Sequence, residues 1–251
     1  MNIFTLIGQL FHEGLYRPLF NGLILIYNVI PLHDLGIAII LLTTIVRIIL
    51  YPLVTKQFRS QKALSALQPK LKEIKEKYPN KEEQTKKTLE LYKIEGIHPA
   101  SGCLPLLIQL PILIALYRVF FDGLNTNALS ALYPWVLRPE SINPIAFGFL
   151  NLAVPNVVLA VLAGIAQFVQ TKMMLPKTPA SANSKKSSEP DIAAMMNTQT
   201  LYVMPILTVV IGLRFPAGLS LYWVVTTLLG IYQQFIITKE HGPKQPAGTA
   251  R

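Results

Sequence analysis

The feature that most constrains this chain is an apolar run at residues 35–54, LGIAIILLTTIVRIILYPLV, which contains an arginine. The hydrocarbon core of a bilayer is about 30 Å thick, and a helix needs roughly 20 such residues to cross it. Holding the Arg47 guanidinium at that depth costs from ~3 to ~10 kcal/mol, depending on how far it reaches toward water. The run therefore predicts a membrane span, and its arginine predicts a polar cavity beside that span.

The composition agrees with a membrane protein. Of 251 residues, 51% are hydrophobic and 14% are charged, whereas soluble domains carry about 25% charged residues. Four more apolar stretches follow the first, and the last two are joined by a tight turn at 214–218. We therefore predict an all-α membrane protein with a five-helix transmembrane bundle. Its predicted spans cover residues 34–55, 102–122, 154–173, 198–214 and 216–237.

The segment before the first span has a different pattern. Residues 11–30 carry charges only in their first half, and they have apolar side chains at helical spacing: Leu15, Leu19, Leu23, Ile26 and Ile30. Such a pattern is typical of a helix that lies in the plane of the membrane surface. We interpret 1–33 as an outer, interfacial amphipathic segment, with an additional span at 15–33 as the alternative.

Residues 56–98 are too polar to enter lipid, yet they are patterned as helices. One apolar stripe steps by three and four residues along the segment: Leu64, Leu67, Leu71, Ile74 and Tyr78. Asn80 with Glu83 resembles a capping box, and Gly96 resembles a helix stop. The segment predicts a helical hairpin. One interpretation is a short coiled coil with a solvated charged face, and the other adds binding of ribosomal RNA or anionic lipid.

Charge predicts which side of the membrane each segment occupies. The net charge is +10, and residues 56–98 hold 11 basic and 6 acidic side chains. The predicted flexible loop at 174–197 and the tail at 238–251 are also basic, whereas the loop at 123–153 holds only Arg138 and Glu140. The positive-inside rule then places the N-terminus outside and the C-terminus in the cytoplasm. We expect a multi-pass protein of the cell membrane, plasma or inner.

Several polar side chains fall inside the predicted spans. Thr43 and Thr44 lie four and three residues before Arg47 and share its face. An alternative role for these threonines, and for the glutamines in the other predicted spans, is ordinary interhelical hydrogen bonding, with each bond worth ~0.6 kcal/mol. Arg47 could also snorkel toward Lys56 across ~13 Å of helix. We favour a wet groove that opens inward, with these candidate residues: Arg47, Thr43, Thr44, Gln109, Gln167, Gln170, Tyr222, Trp223 and Thr226.

Motifs of catalysis are missing from the sequence. Its four histidines are scattered without metal-ligand spacing, and no Walker lysine, GxSxG or HExxH motif occurs. The predicted spans carry no acidic residue at mid-depth, which argues against a carboxylate proton relay. We expect no metal, no cofactor and no enzymatic activity.

Five stretches resemble the YidC/Oxa/Alb family of membrane protein insertases, compact five-span type. They follow the family's order over roughly residues 35–237: TTIVRIILYPL, LQPKLKEIKEKYPN, GIHPASGCLPLLIQLPILIALYRVF, LAGIAQFVQTKMM and FPAGLSLYWVVTTLLGIYQQ. The resemblance implies five core helices around a hydrophilic groove, closed outside and open to cytoplasm and lipid. It also implies an amphipathic outer helix before the first span and a mobile cytoplasmic hairpin needed for insertion.

The resemblance also assigns roles to individual positions. The family's groove arginine falls on Arg47, its groove glutamine on Gln167 or Gln170, and its last-span aromatic on Trp223 or Tyr222. Candidate partners are nascent membrane proteins, the ribosome through residues 56–98 and the tail, the Sec translocon and anionic lipids. Two other functions stay open, a small membrane transporter or channel and a membrane-protein assembly factor. The apolar outer halves of the spans argue against a channel.

Overall fold

The computed structural model describes residues 2–96, 104–123, 130–175 and 199–240. The helices are α1 (Ile3–Phe11), α2 (Arg17–Val29), α3 (Leu35–Ile49), α4 (Tyr51–Ala66), α5 (Gln68–Lys77), α6 (Lys81–Ile94), α7 (Leu104–Gly123), α8 (Val157–Met174), α9 (Met204–Gly212) and α10 (Ala217–Glu240). The strands are β1 (Ile145–Ala146) and β2 (Leu150–Asn151). Most of the predicted loop at 174–197 and of the tail at 238–251 lies outside the described residues.

The chain is a mostly helical membrane protein. Within the described residues, Val157–Met174 and Ala217–Lys239 are long and apolar enough to cross a bilayer. Taken together, the helical segments Leu35–Ile49 and Tyr51–Lys77 are also long and apolar enough to form one span, with a bend between them. Two shorter apolar helical segments lie at Gln109–Val119 and Gln199–Gly212. Helix α9 ends at Gly212 and α10 begins at Ala217, which confirms the tight turn between them.

The first predicted span, 34–55, is not one continuous helix. Helix α3 ends at Ile49, and the chain bends by 69° before it continues from Tyr51. Pro52 explains the break, because its ring has no N–H and clashes with the carbonyl four residues earlier. The 15 residues of α3 rise only ~22 Å, which is shorter than a hydrocarbon core of about 30 Å.

Helix α2 is packed into the protein over a wider face than the sequence predicted. Leu19 and Leu23 are buried as expected. Phe20, Ile24 and Tyr27 are buried as well, whereas the predicted stripe members Leu15, Ile26 and Ile30 are only partly buried. The helix contacts α3 and α7, so α2 packs part of its surface against the bundle, and its predicted place at the membrane surface stays a prediction. Helix α1 keeps exposed apolar side chains.

A buried asparagine explains part of that difference. Asn21 is 1% exposed, and its amide donates to the carbonyls of Arg17 at 2.8 Å and Ala131 at 3.2 Å. Its side-chain oxygen accepts from the N–H of Tyr133 at 2.6 Å. A buried polar group with its partners complete is tolerated in a core. Asn21 therefore joins α2 to the loop that follows α7, which periodicity alone did not indicate.

Of the segment 56–98, the structure describes residues 56–96: they form the rest of α4, followed by the pair of helices α5 and α6. Asn80 accepts a hydrogen bond from the N–H of Glu82 at 3.0 Å, which confirms its capping role. Helix α6 ends at Ile94, and Gly96 follows it with a φ of 64°. Lys70 and Glu95 form an ion pair across the two helices at 2.5 Å.

A β-hairpin in the loop at 123–153 departs from the predicted all-α class. Ile145 pairs with Asn151 and Ala146 with Leu150. The turn holds Phe147 and Gly148 at positive φ, as tight hairpin turns require. Gly36 at the start of α3 lies so close beneath this hairpin that a Cβ would stand 2.6 Å from the Cβ of Ala146. The hairpin therefore packs tightly on α3 because position 36 has no side chain.

The apolar core lies at the end of the bundle that carries this hairpin. It combines buried side chains of α2, α3, α7 and the first turns of α10 with Val136, Ala146 and Leu152 of the loop. The N–H groups of Ala217 and Gly218 donate to Val154 and Leu152 at 3.0 and 3.1 Å. We call this assembly of hairpin, loop and helix ends the cap, defined by residues 130–156 with the helix ends that they contact.

Asp34 is the residue that joins the cap to α3. Its carboxylate accepts from the N–H of Ile37 at 3.0 Å, as a helix cap, and from the N–H of Phe147 at 2.5 Å. We expect Asp34→Ala to lower the free energy of unfolding by about 2–3 kcal/mol, because it removes a cap and a charge-assisted bond together. Unfolding in detergent, followed by circular dichroism, measures this.

Asn156→Ala is the matched control. Asn156 caps α8 by accepting from the N–H of Leu159 at 3.0 Å, and its described contacts include no second helix or hairpin. Its loss should cost about 1 kcal/mol. Equal losses at both positions would show that the bond to Phe147 contributes nothing to stability.

Candidate functional site

Arg47 lies in the last turn of α3, just before the break at Leu50. Its Nε and Nη2 donate to the backbone carbonyl of Thr226 in α10, at 3.2 and 2.7 Å. The guanidinium is thus bound across the bundle, rather than extended along the chain toward Lys56. None of the ion pairs among the described residues involves Arg47.

Gly230 makes room for this contact on α10. A Cβ at position 230 would stand 2.5 Å from Nη2 of Arg47, and still closer to Nε2 of Gln170. The ends of both side chains therefore meet over the bare backbone of one glycine. The carbonyl of Thr226 is also the one that the N–H of Gly230 would reach in a regular helix. Arg47 thus shares an acceptor with the helix that it contacts.

A second pair of polar side chains adjoins the first. Gln109 of α7 donates from Nε2 to the hydroxyl of Tyr222 at 2.6 Å. Tyr222 is 3% exposed, and its hydroxyl also interacts with the side chain of Thr226 and with the charge of Arg47. Helices α3, α7, α8 and α10 thus each contribute one polar group or more. We call Arg47, Gln109, Gln170, Tyr222 and Thr226 the polar cluster.

The two glutamines of α8 face different neighbours. Gln170 meets Arg47 over Gly230, whereas the side-chain oxygen of Gln167 accepts a hydrogen bond from the hydroxyl of Thr208 in α9. Residues three apart on a helix diverge by about 60° around its axis, which is enough here for contacts with two different helices. Gln167 and Gln170 therefore have different partners, and Gln170 is the one beside Arg47.

The remaining candidates border the polar cluster without joining its hydrogen bonds. Thr43 and Thr44 donate to carbonyls of their own helix, Ile39 at 2.6 Å and Ile40 at 2.8 Å. Trp223 is partly buried and packs against the apolar core. Of the two aromatic residues suggested by the sequence, Tyr222 is therefore the one whose polar group belongs to the cluster.

Three further residues, on α4 and α10, were not identified from the sequence. Gly230 carries no polar signal in an apolar span, although a glycine inside a long helix is itself a sign of close approach. Gln57 and Gln61 lie in a segment that was read as solvated, yet Gln57 is 5% exposed. Their spacing of four residues places them on one face and was the available signal. In the parts of the chain that the structure describes, no group of three metal-ligating side chains occurs.

The proximity of Gly230, Arg47 and Gln170 can be tested by a double-mutant cycle. Alanine is favoured over glycine inside a helix by about 1 kcal/mol, but Gly230→Ala displaces two polar side chains. We expect little net change in stability for Gly230→Ala alone. In an Arg47→Ala/Gln170→Ala background, the same substitution should stabilise the protein by about 1 kcal/mol. Thermal unfolding in one detergent measures both steps.

Gly8→Ala is the control for this cycle, because nothing lies within 4 Å of a Cβ at position 8. It should have the same effect in both backgrounds. If Gly230→Ala also changes thermal stability by the same amount in both backgrounds, then position 230 is not energetically coupled to Arg47 and Gln170.

The comparisons with known proteins agree on one family. A family model described as 60Kd inner membrane protein matches residues 25–244. The membrane protein insertase YidC of Oceanobacillus iheyensis is 36% identical over 209 residues, which cover 81% of this chain and 74% of the relative. The protein of the same name from Fusobacterium nucleatum is 38% identical over 208 residues, covering 82% of this chain and 87% of that protein.

The comparison with solved structures gives the same result. The crystal structure of an active YidC insertase, with its first transmembrane domain resolved, matches with a TM-score of 0.56 and 28% identity. The match covers 86% of this chain and 45% of that one, so this chain spans less than half the length of the solved protein. The resemblance found in the sequence is confirmed, and the chain belongs to the 60Kd inner membrane protein family, the YidC/Oxa/Alb family.

Proposed function

We propose that this protein is a membrane protein insertase, which moves hydrophobic segments of nascent membrane proteins into the bilayer without chemical turnover. Relatives that share a third or more of its sequence carry that name. The observation that carries the proposal is Arg47, a cation among apolar helices that is bound by a neutral carbonyl. Its charge stays available to an anionic group on a client.

The polar cluster serves as the floor of the proposed groove. Arg47, Gln109, Gln170, Tyr222 and Thr226 contribute hydrogen-bonding groups, with Thr43 and Thr44 as neighbours on α3. Gln167 and Trp223 stand beside the groove, toward α9 and the apolar core respectively. The cap covers one end of the bundle, which supports a groove that is closed on that side. A transporter or channel, which needs a path to both sides, is less consistent with this arrangement.

The mechanism that we propose uses the client's own apolar segment as the source of free energy. Burial of apolar surface in lipid is favourable by about 25 cal/mol per Å². The barrier is the short polar flank that must cross with it, and Arg47 and groove water stabilise that flank. The short helix α3, at ~22 Å, supports local thinning of the membrane, which shortens the crossing.

For topology we propose five spans, with α3 and the start of α4 as far as residue 55 as the first and the shorter apolar helices as the second and fourth. The segment 1–33 and the loop at 123–153 lie outside, and the hairpin at 56–98, the loop at 174–197 and the tail at 238–251 lie in the cytoplasm. The charge asymmetry supports this orientation in the cell membrane. The basic hairpin is the proposed contact for the ribosome and for anionic lipids, and the Sec translocon is a further proposed partner.

Arg47 provides the sharpest test of the electrostatic role. Arg47→Ala should leave thermal stability unchanged or slightly higher, because an expensive intramembrane charge is gone. Insertion of a single-span client with an acidic flank should fall roughly tenfold, equivalent to a loss of about 1.4 kcal/mol. Arg47→Lys should keep part of the activity, since a point charge remains while the fork of donors is lost. Reconstituted vesicles give the insertion yields.

The matched control is the same client with its acidic residues neutralised. For that client, the difference in insertion yield between wild type and Arg47→Ala should be smaller. An equal loss of insertion yield for both clients, or no loss for either, would show that the charge of Arg47 does not act on the client's acidic flank.

Topology can be tested with single cysteines in a Cys103→Ser background. On intact cells, a membrane-impermeant thiol reagent should label Asn127→Cys and leave Lys86→Cys and Ser184→Cys unlabelled. Permeabilised cells should show labelling at all three positions. Labelling of position 86 or 184 on intact cells, with position 127 protected, would reverse the proposed orientation.

A further inference from the structure

The tip of the β-hairpin in the cap has an unusual residue for a tight turn. Phe147 and Gly148 both have positive φ, 55° and 79°, and the N–H of Phe149 donates to the carbonyl of Ala146 at 3.1 Å across the turn. Such turns are dominated by glycine, asparagine and aspartate, because a bulky side chain at positive φ is strained. A phenylalanine held in this conformation indicates that its ring has a role besides closing the turn.

The two phenyl rings of the tip are exposed together. Phe147 is 39% exposed and Phe149 is 81% exposed, and their ring centroids are 6.4 Å apart. Residues 141–151, which include the whole hairpin, contain no charged side chain. Neighbouring aromatic rings that are exposed without a charge beside them indicate a surface that an apolar partner covers.

The contacts of the hairpin with α3 fix its depth relative to that helix. The two carboxylate oxygens of Asp34 accept from the N–H of Ile37 at 3.0 Å and from the N–H of Phe147 at 2.5 Å, so the hairpin backbone lies level with the start of α3. The ring of Phe147 reaches further along the helix, because a Cβ at Gly36 would stand 2.8 Å from its Cζ. Two residues of helix rise ~3 Å. The ring therefore extends from the level of a charged carboxylate toward the middle of α3.

Helix α3 shows which partner is available at that position. Its exposed apolar side chains follow each other at steps of four, four and three residues and therefore lie on one face: Ile37, Leu41, Ile45 and Ile48. In a membrane-spanning helix, such a face is in contact with lipid. Asp34 joins the hairpin to the first residue of this face, and the rings add apolar surface beside the first turn of a helix that is itself short.

We infer that the hairpin tip is a lipid-binding element, with the rings of Phe147 and Phe149 inserted among the acyl chains just below the headgroups. Its backbone stays at headgroup depth, because irregular backbone exposed to lipid does not occur within the hydrocarbon region. The partner is neutral lipid, since residues 141–151 offer no charge for an anionic headgroup. The inference concerns the cap alone, so it depends neither on the insertase mechanism nor on the side of the membrane that the cap occupies.

The test attaches a spin label to Phe149→Cys in a Cys103→Ser background, with the protein at low density in phosphatidylcholine vesicles. Electron paramagnetic resonance compares collisions of the label with oxygen, which concentrates in lipid, and with a water-soluble nickel complex. We expect the oxygen-to-nickel ratio to be several-fold higher at position 149 than for Ile94→Cys, the matched control. Ile94 is also 81% exposed, but it lies in the polar segment 56–98. Because Phe149 is exposed, its replacement leaves the packing of the cap unchanged.

Adding anionic phosphatidylglycerol to the vesicles should leave the ratio at position 149 unchanged. Equal ratios at positions 149 and 94 would show a tip in water and overturn the inference. Spectral broadening between labels at position 149, even at low protein density, would overturn it in favour of a second copy of the chain as the partner. A high ratio that appears only with phosphatidylglycerol would overturn the assignment to neutral lipid.

Discussion

Arg47 places two N–H groups on a single backbone carbonyl, and that carbonyl also belongs to the hydrogen-bonded ladder of α10. The contact joins the end of α3 to the middle of α10, and a Cβ at position 230 would force the ends of the Arg47 and Gln170 side chains to shift. A guanidinium bound by a neutral dipole is oriented while its positive charge remains uncompensated. Gln170 of α8 reaches the same stretch of α10, and Tyr222 lies on α10 one turn before Thr226. The same contact that orders the polar cluster thus keeps it receptive to an anion.

The sequence predicted the polar cluster better than it predicted the geometry around it. Arg47, Gln109 and Tyr222 could be singled out because a polar group within an apolar span carries a large cost and requires a partner. The choice between Gln167 and Gln170 could not be made, since spacing within one helix does not say which neighbouring helix lies opposite. Only packing against α9 separates the two.

The failures of prediction have physical causes that differ from place to place. Pro52 ends α3 because of a backbone clash, yet an apolar run containing proline still reads as one span. Asn21 is buried in α2 since two backbone groups of the loop after α7, together with the carbonyl of Arg17 one turn earlier, complete its hydrogen bonds. Gln57 was read as solvated because its segment is polar on average. The burial of Asn21 and of Gln57 depends on tertiary contacts between residues distant in sequence, whereas the break at Pro52 is a local backbone effect.

The cap has a consequence for the electrical integrity of the membrane. Asn21 and Asp34 hold it through bonds from α2 and α3, and Gly36 allows the β-hairpin to lie directly on α3. Lifting it would expose buried apolar side chains and break several bonds at once, so thermal fluctuation opens it rarely. In the proposed insertase mechanism, a client that enters from the other end reaches lipid sideways, and the cap does not have to open. On that proposal, protons and other ions would have no continuous aqueous path through the protein, and the membrane potential would persist through each insertion event.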